Sequence, residues 1–318
     1  MGLMGVPAEP RGRGALLIEF DDCAEPEVDY TTPKLVAEIG CNHAGDLALA
    51  EKMINIAAHF CEVDAVKFQK RHPRTLLTEE QYEAPHPNAS HAYGETYGLH
   101  REQLEFTPAQ HRRLLEVCRD NGVTYSTSVW DLPSAREIVA LEPEFIKVPS
   151  ATNSNAELLA FLCDEFGGQI HVSLGMTDRS EEEALVESLD ERGRLSSTVL
   201  YACTSGYPVP FEDLCLGEIT RLRESYGPRV AGIGFSGHHL GIAADVAALT
   251  LGASWIERHF TLDRTMKGTD HAASLEPDGM RRLARDIQAV SKALNVKAAP
   301  ILPIEEAQRE KLKWRDGR

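Results

Sequence analysis

Two histidines set the first chemical question. His238 and His259 each follow a short apolar run, at 230–235 and 255–257, and the Ala/Leu-rich stretch 240–251 between them carries Ile242, Val246 and Leu249 at helical spacing. The order is strand, histidine, helix, strand, histidine, then a polar loop bearing Asp270. If the strands are parallel neighbours, both imidazoles and the carboxylate leave the sheet at its carboxyl edge, where α/β proteins build their sites. Such an arrangement suits a two-histidine metal centre. The plainer alternative is a histidine that caps a strand end or bonds a backbone carbonyl.

Other polar residues fall at the ends of strand-like segments. They are Glu38, Lys67, Gln69, Ser126, Ser128, Lys147, Ser150, Ser173, Ser205, Tyr207, Ser236 and Glu257. A lysine inside a barrel mouth is costly unless an anion answers it. That anion could be internal, as with Glu38 beside Lys67. Two lysines with a ring of hydroxyls nevertheless read as a cradle for phosphate and carboxylate, although any one serine is equally a helix cap.

The elements needed to converge these groups recur along the chain. Strand-like segments lie at 35–38, 65–69, 124–128, 145–148, 170–174, 199–203, 230–235 and 255–257, each followed by a helical pattern. Asp46 is placed to cap a helix whose Leu49, Met53, Ile56 and Phe60 share a face. Thr107-Pro108-Ala109-Gln110 is a capping box with proline at the first helical position, Asn121-Gly122 ends that helix, and Ser180 with Glu183 repeats the box. A last helix after Pro277 turns Met280, Leu283, Ile287, Val290 and Leu294 inward. Eight such units predict an α/β fold, the (β/α)8 TIM barrel, over residues 33–295. An N-terminal extension (1–32, with a hairpin from 16–20 and 25–30) precedes it, and a linker and short tail (296–318) follow. The connection from Lys70 to Phe106 has little periodicity and is expected to be a lid or binding loop.

Composition narrows the function. With 33 basic and 49 acidic side chains, the 318-residue chain has a net charge of −16, which disfavours nucleic acid and anionic membranes as partners. Seven scattered cysteines without a C-x-x-C pair read as reduced thiols, and no signal core or membrane-length apolar run is visible, so a cytoplasmic protein is expected. Gly234-Phe235-Ser236-Gly237 falls short of a hydrolase nucleophile elbow, and no P-loop, H-E-x-x-H or Rossmann glycine pattern occurs.

The segments VAEIGCNHAGD, DAVKFQ, IKVPSA, SLGMT, CTSGYPVPFEDL, GFSGHH, IERHFTLDRT and KGTDHAASLEP, in this order on successive strands, resemble the N-acetylneuraminate (sialic acid) synthase family. The resemblance implies a TIM barrel that condenses phosphoenolpyruvate with a sugar aldehyde, releasing phosphate and forming a nonulosonic acid. By position it implies His238 and His259 as ligands of a divalent metal, manganese first, with magnesium or cobalt as alternatives. Lys67, Lys147, Ser150, Ser173 and Ser236 would hold phosphoenolpyruvate, and Ser205 stands where the family has an asparagine. Glu38 and Asp270 would act at the reacting carbons, and Gln69 and Tyr207 would face the sugar. His43 and His271 lie close by in sequence. A homodimer is also implied.

Three departures point to a sugar half of the site that has been rebuilt. Thr152 stands where the family has a glutamate, and Gly237 replaces an aspartate. The family's C-terminal antifreeze-like module does not follow the barrel here, so the 70–106 connection and the tail after Pro303 are candidate lids. The alternatives are a related 3-deoxy-ulosonic acid synthase acting on a shorter or non-acylated sugar, and a non-catalytic barrel that binds sugar acids.

Overall fold

Eight parallel strands pair in chain order and close on themselves as a barrel. The computed structural model describes residues 32–314, so the expected hairpin of 16–20 and 25–30 lies outside the described residues. The strands are β1 (Lys34–Gly40), β2 (Ala65–Lys70), β3 (Thr124–Val129), β4 (Phe145–Val148), β5 (Gln169–Ser173), β6 (Thr198–Cys203), β7 (Gly232–Gly237) and β8 (Trp255–His259). Each expected strand is present, with ends displaced by one or two residues. The helices are α1 (Leu47–His59), α2 (Pro73–Leu76), α3 (Glu79–Glu83), α4 (Tyr97–Gln103), α5 (Pro108–Asp120), α6 (Leu132–Val139), α7 (Ala156–Glu165), α8 (Arg179–Glu191), α9 (Gly217–Tyr226), α10 (Ala243–Thr250), α11 (Pro277–Ala293) and α12 (Pro303–Leu312).

The period of two along each strand divides the molecule into an inside and an outside. On β1, Leu35, Ala37 and Ile39 join the outer core against Met53, Leu283 and Ile287 of the helices, whereas Val36 packs with Ala65, Phe145 and Trp255 within the barrel. His171 stacks on Phe145 with ring centroids 4.2 Å apart, completing an apolar and aromatic floor. Two residues further along the strands come the polar side chains. Register sets Glu38 beside Lys67, Lys67 beside Ser126, Ser128 beside Lys147, and Ser236 beside Glu257. Glu38 is also level with His259, because β1 pairs with β8 to close the ring.

Several helical expectations need correction. On α1 the buried residues are Ala50, Met53, Ile54 and Ala57, while Phe60 is exposed, so the inward face is rotated from the expected one. The cap of α8 is Asp178 with Glu181, two residues before the expected Ser180 and Glu183, because Asp caps as well as Ser and the earlier box starts the helix first. The helix expected at 240–251 begins only at Ala243, and its inward face includes Asp245, whose carboxylate meets Arg258 of β8 at 2.5 Å. The six described cysteines are unpaired; the reading as reduced thiols placed them in the core, which holds for Cys61, Cys118 and Cys163, whereas Cys41 and Cys203 are half-buried and Cys215 is exposed.

The 70–106 connection is not irregular. It folds into α2, α3 and α4, with Thr78 in a capping box to Gln81 and Thr96 capping α4.

Candidate active site

The strand ends deliver their polar side chains to a cavity of about 250 Å³ at the carboxyl edge of the barrel. Glu38, Lys67, Gln69, Lys147, Ser150, Ser173, Ser205, Tyr207, Ser236, His238 and His259 all line it. Asp270 alone of the expected set does not, and stands beside the cavity with Oδ2 3.9 Å from Nδ1 of His259. Of the two neighbouring histidines, His43 is buried against Phe106 and accepts from the Gly45 amide, and His271 pairs with Thr261; neither lines the cavity.

Four buried charges form the base of the site. Lys67 pairs with Glu38 and lies 3.7 Å from Glu257, while Lys147 donates to Glu257 at 2.6 Å. Ser128 accepts from Lys67 at 2.7 Å, and Ser236 donates to Glu257 at 3.2 Å. Gln69 donates its amide to Glu38 at 3.2 Å, and the Lys147 ammonium sits 4.1 Å from the centroid of the Tyr201 ring.

Burial and pairing compete at each charge. Burial pushes the Glu38 carboxyl above its ordinary pKa, with the Lys67 charge working against that rise. At Glu257 burial is overcome by Lys147 and Lys67, which hold the carboxyl at about 2. Burial likewise opposes the charge on Lys67, but Glu257 and Glu38 outweigh it and raise its pKa. Lys147, with one carboxylate and a lysine neighbour, is lowered chiefly by burial. Burial thus shifts Glu38 upward while the two lysines shift Glu257 downward, and two carboxyls pushed apart in this way suit different duties, acid–base and electrostatic.

The imidazoles stand above this layer with ring centroids 5.5 Å apart. Burial lowers His238 to about 3, and its Nδ1–H donates to the Thr204 carbonyl at 3.1 Å. That tautomer leaves the Nε2 lone pair free. Nδ1 of His259 is buried without a partner among the described residues. Tyr207 lies over both rings, at 4.5 and 6.0 Å between centroids.

The loops beyond the strands finish the walls. Ser150 accepts from the Gly175 amide at 3.0 Å, so the serine of the β4 loop is fixed to the β5 loop. Asn153 donates to the Ser173 carbonyl at 2.9 Å and to Thr177 at 2.7 Å. Trp130 and Met176 add apolar wall; their sequence context carries no chemical signal, and they were not expected. Glu257 was legible as a strand-end residue, but its role was not, because its partner Lys147 is 110 residues away in the chain. The expected lids differ in outcome. Trp130 on the cavity wall stacks against Arg71 and Arg101 of the 70–106 connection, whereas no residue of α12 lines the cavity. That terminal helix is tied to its own connector, where Lys297 donates to Glu305 at 2.7 Å, and so its described residues stand apart from the cavity.

The result is a closed (β/α)8 barrel with paired lysines and carboxylates under two imidazoles at its carboxyl edge, the face on which barrel enzymes build their sites. The chain belongs to the NeuB family, whose profile matches residues 53–299. It is 36% identical over 278 residues to N-acetylneuraminate-9-phosphate synthase of Homo sapiens, spanning 87% of this chain and 76% of that one. It is 33% identical over 262 residues to N,N'-diacetyllegionaminic acid synthase of Campylobacter jejuni, spanning 82% and 77%. Among solved structures, the sialic acid synthetase of Leptospira borgpetersenii in complex with citrate superposes with a TM-score of 0.74 at 27% identity, covering 90% of this chain and 94% of that one. The chain is thus an enzyme of the condensing, transferase type.

Proposed function

We propose that the protein condenses phosphoenolpyruvate with a sugar aldehyde to give a nonulosonic acid and inorganic phosphate. The observation that carries this is the juxtaposition of Lys67, Lys147, Glu38 and Glu257 beneath His238 and His259 in one cavity. Lys67 and Lys147 bind the carboxylate and phosphate of phosphoenolpyruvate, with Ser150, Ser173, Ser205 and Ser236 donating hydroxyls, and Glu257 keeps both ammonium groups charged and in place. C3 of phosphoenolpyruvate forms a bond to the aldehyde carbon, whose oxygen takes up a proton. Water adds at C2, and phosphate leaves by cleavage of the C2–O bond, completing the carbonyl of the product. Glu38 is placed to take the proton from that water, Asp270 and Gln69 orient the sugar hydroxyls, and Tyr207 shields the aldehyde from solvent.

The donor set fits a divalent metal. Two imidazoles present free or unpartnered nitrogens, and an ion held by these two alone would keep its remaining coordination positions for water and substrate. A manganese ion held by His238 and His259, with magnesium or cobalt as substitutes, would supply Lewis-acid polarisation of the aldehyde and offset the charge of phosphoenolpyruvate. A homodimer in the cytoplasm completes the reading; no described helix is long and apolar enough to cross a membrane.

The test is loss of phosphoenolpyruvate and release of phosphate across a panel of aldoses with added manganese. Turnover that needs an aldose and falls at least about 100-fold in Lys147→Met supports the reading, whereas a fully active Lys147→Met enzyme contradicts it. His259→Ala is expected to lose Mn2+ binding, measured by electron paramagnetic resonance, together with turnover.

A further inference from the structure

Three buried polar side chains stand behind the cavity without lining it, and two of them are next in the chain to its imidazoles. His239 follows His238, Arg258 precedes His259, and Asp245 belongs to α10; none is more than 1% exposed. Glu257 and His259 line the cavity, so alternation along β8 turns Arg258 the other way, towards the helices, between Ile256 and Phe260 of the outer apolar core. An ion pair in such a layer adds little stability over apolar side chains of the same volume. Stability therefore does not account for Arg258, but its bonds do.

The guanidinium joins two elements. Its Nη2 donates to the His239 carbonyl at 2.6 Å, and Nη1 donates to the Gly241 carbonyl at 2.8 Å. Nη1 also donates to Asp245 at 2.5 Å and lies 3.1 Å from Nε2 of His239. Asp245 thus steadies the fork, and the fork holds the segment from His238 to Ile242, which connects β7 to α10 without regular structure of its own. The start of that segment is held by other bonds, since His238 donates to Thr204 and its carbonyl accepts from the Val209 amide at 3.0 Å. Strand pairing does not reach this far, because the register of β7 with β8 ends at Gly237 and Arg258. One residue beyond that point stand His238 and His259, with ring centroids 5.5 Å apart.

We propose that Arg258 is a positioning residue: by holding the His239 and Gly241 carbonyls to β8, it fixes the loop of His238 against the strand of His259 and so sets the spacing of the two imidazoles for a divalent ion. The purpose of this clamp rests on the metal reading of those imidazoles; its bonds do not.

The experiment measures Mn2+ affinity by electron paramagnetic resonance, with His259→Ala marking the site, and hydrogen exchange of the 238–242 amides by mass spectrometry without metal. One variant, Arg258→Lys, keeps a charge for Asp245 but lacks the fork; the other, Arg258→Met/Asp245→Leu, removes the buried pair together. In both, the Kd for Mn2+ is expected to rise roughly 10- to 100-fold and exchange of the segment to quicken, while the calorimetric Kd for phosphoenolpyruvate without metal stays within about twofold. The double variant is expected to unfold near the wild-type denaturant midpoint, which separates the clamp from a role in stability alone. Where one variant does not fold, the same two readings in the other decide, and failure of both to fold would make the role structural and overturn the clamp. Exchange as slow as wild type in a folded variant would also overturn it. Wild type that binds no Mn2+, with exchange that still quickens in the variants, removes the metal reading and leaves the clamp on the loop. Mn2+ that is lost in His259→Ala but bound unchanged in the Arg258 variants does the reverse.

Discussion

Glu257 answers two ammonium groups from the bottom of the cavity, 2.6 Å from Lys147 and 3.7 Å from Lys67. Replacing it with glutamine leaves Lys147 buried on the Tyr201 ring without a carboxylate. Removing one partner of a buried pair costs about 3–5 kcal/mol, because the orphaned charge must stay desolvated or give up its proton. Glu257→Gln is therefore expected to lose about that much in denaturant-unfolding stability. The double variant Glu257→Gln/Lys147→Met is expected to recover part of the loss, and a double variant less stable than the single one would argue against the pairing as described. Eleven of the twelve residues named from the sequence line the cavity, because strand ends and the histidines that follow them are local signals, whereas Asp270 stands beside it. What the sequence did not disclose was how these charges are balanced, since β4 and β8 meet only when the barrel closes.

Among the helices, legibility followed length. The strands are buried along most of their length and were read from short apolar runs that end in polar residues, while α5 carries a capping box, α11 a proline in its first turn, and both a periodic face. In contrast, α2, α3 and α4 have four, five and seven residues, too few for an apolar stripe to repeat. Their order comes from caps and from contacts far away in the chain, so the segment looked like a loop. Asp245 carried no signal for a related reason: a charge on an inward helical face makes sense only with Arg258 across from it. At the far end, α12 leaves Ile304 and Leu312 exposed and contributes nothing to the cavity. Deleting residues 303–318 is expected to leave KM for phosphoenolpyruvate and for the sugar within about twofold; a KM for sugar raised tenfold or more would return the tail to the site.

At the scale of the whole molecule, the barrel buries histidines as neutral groups. His111 accepts from the Tyr125 hydroxyl at 2.8 Å, and burial lowers it to about 3; burial lowers His43 to about 3 as well and takes His171 well below the ordinary value. A histidine whose folded pKa is depressed stabilises fully above its unfolded pKa of about 6.5 and loses that contribution as pH falls towards the folded value. Each such group adds up to about 1.4 kcal/mol per pH unit within that window. The unfolding temperature is expected to drop between pH 6.5 and 4, and less steeply in His111→Gln; an identical slope in the variant would mean that His111 is not held neutral.

At this scale the condensation proposal rests on membership of the NeuB family together with the charged layer above the apolar floor. Phosphoenolpyruvate carrying 18O in its bridging oxygen, turned over with the accepted aldose, tests that proposal most directly by mass spectrometry of the products. Water addition at C2 followed by C2–O cleavage sends the label into inorganic phosphate. Label retained in the sugar acid would mean that the P–O bond breaks instead, and the roles given to Glu38, Lys67 and Lys147 would not stand.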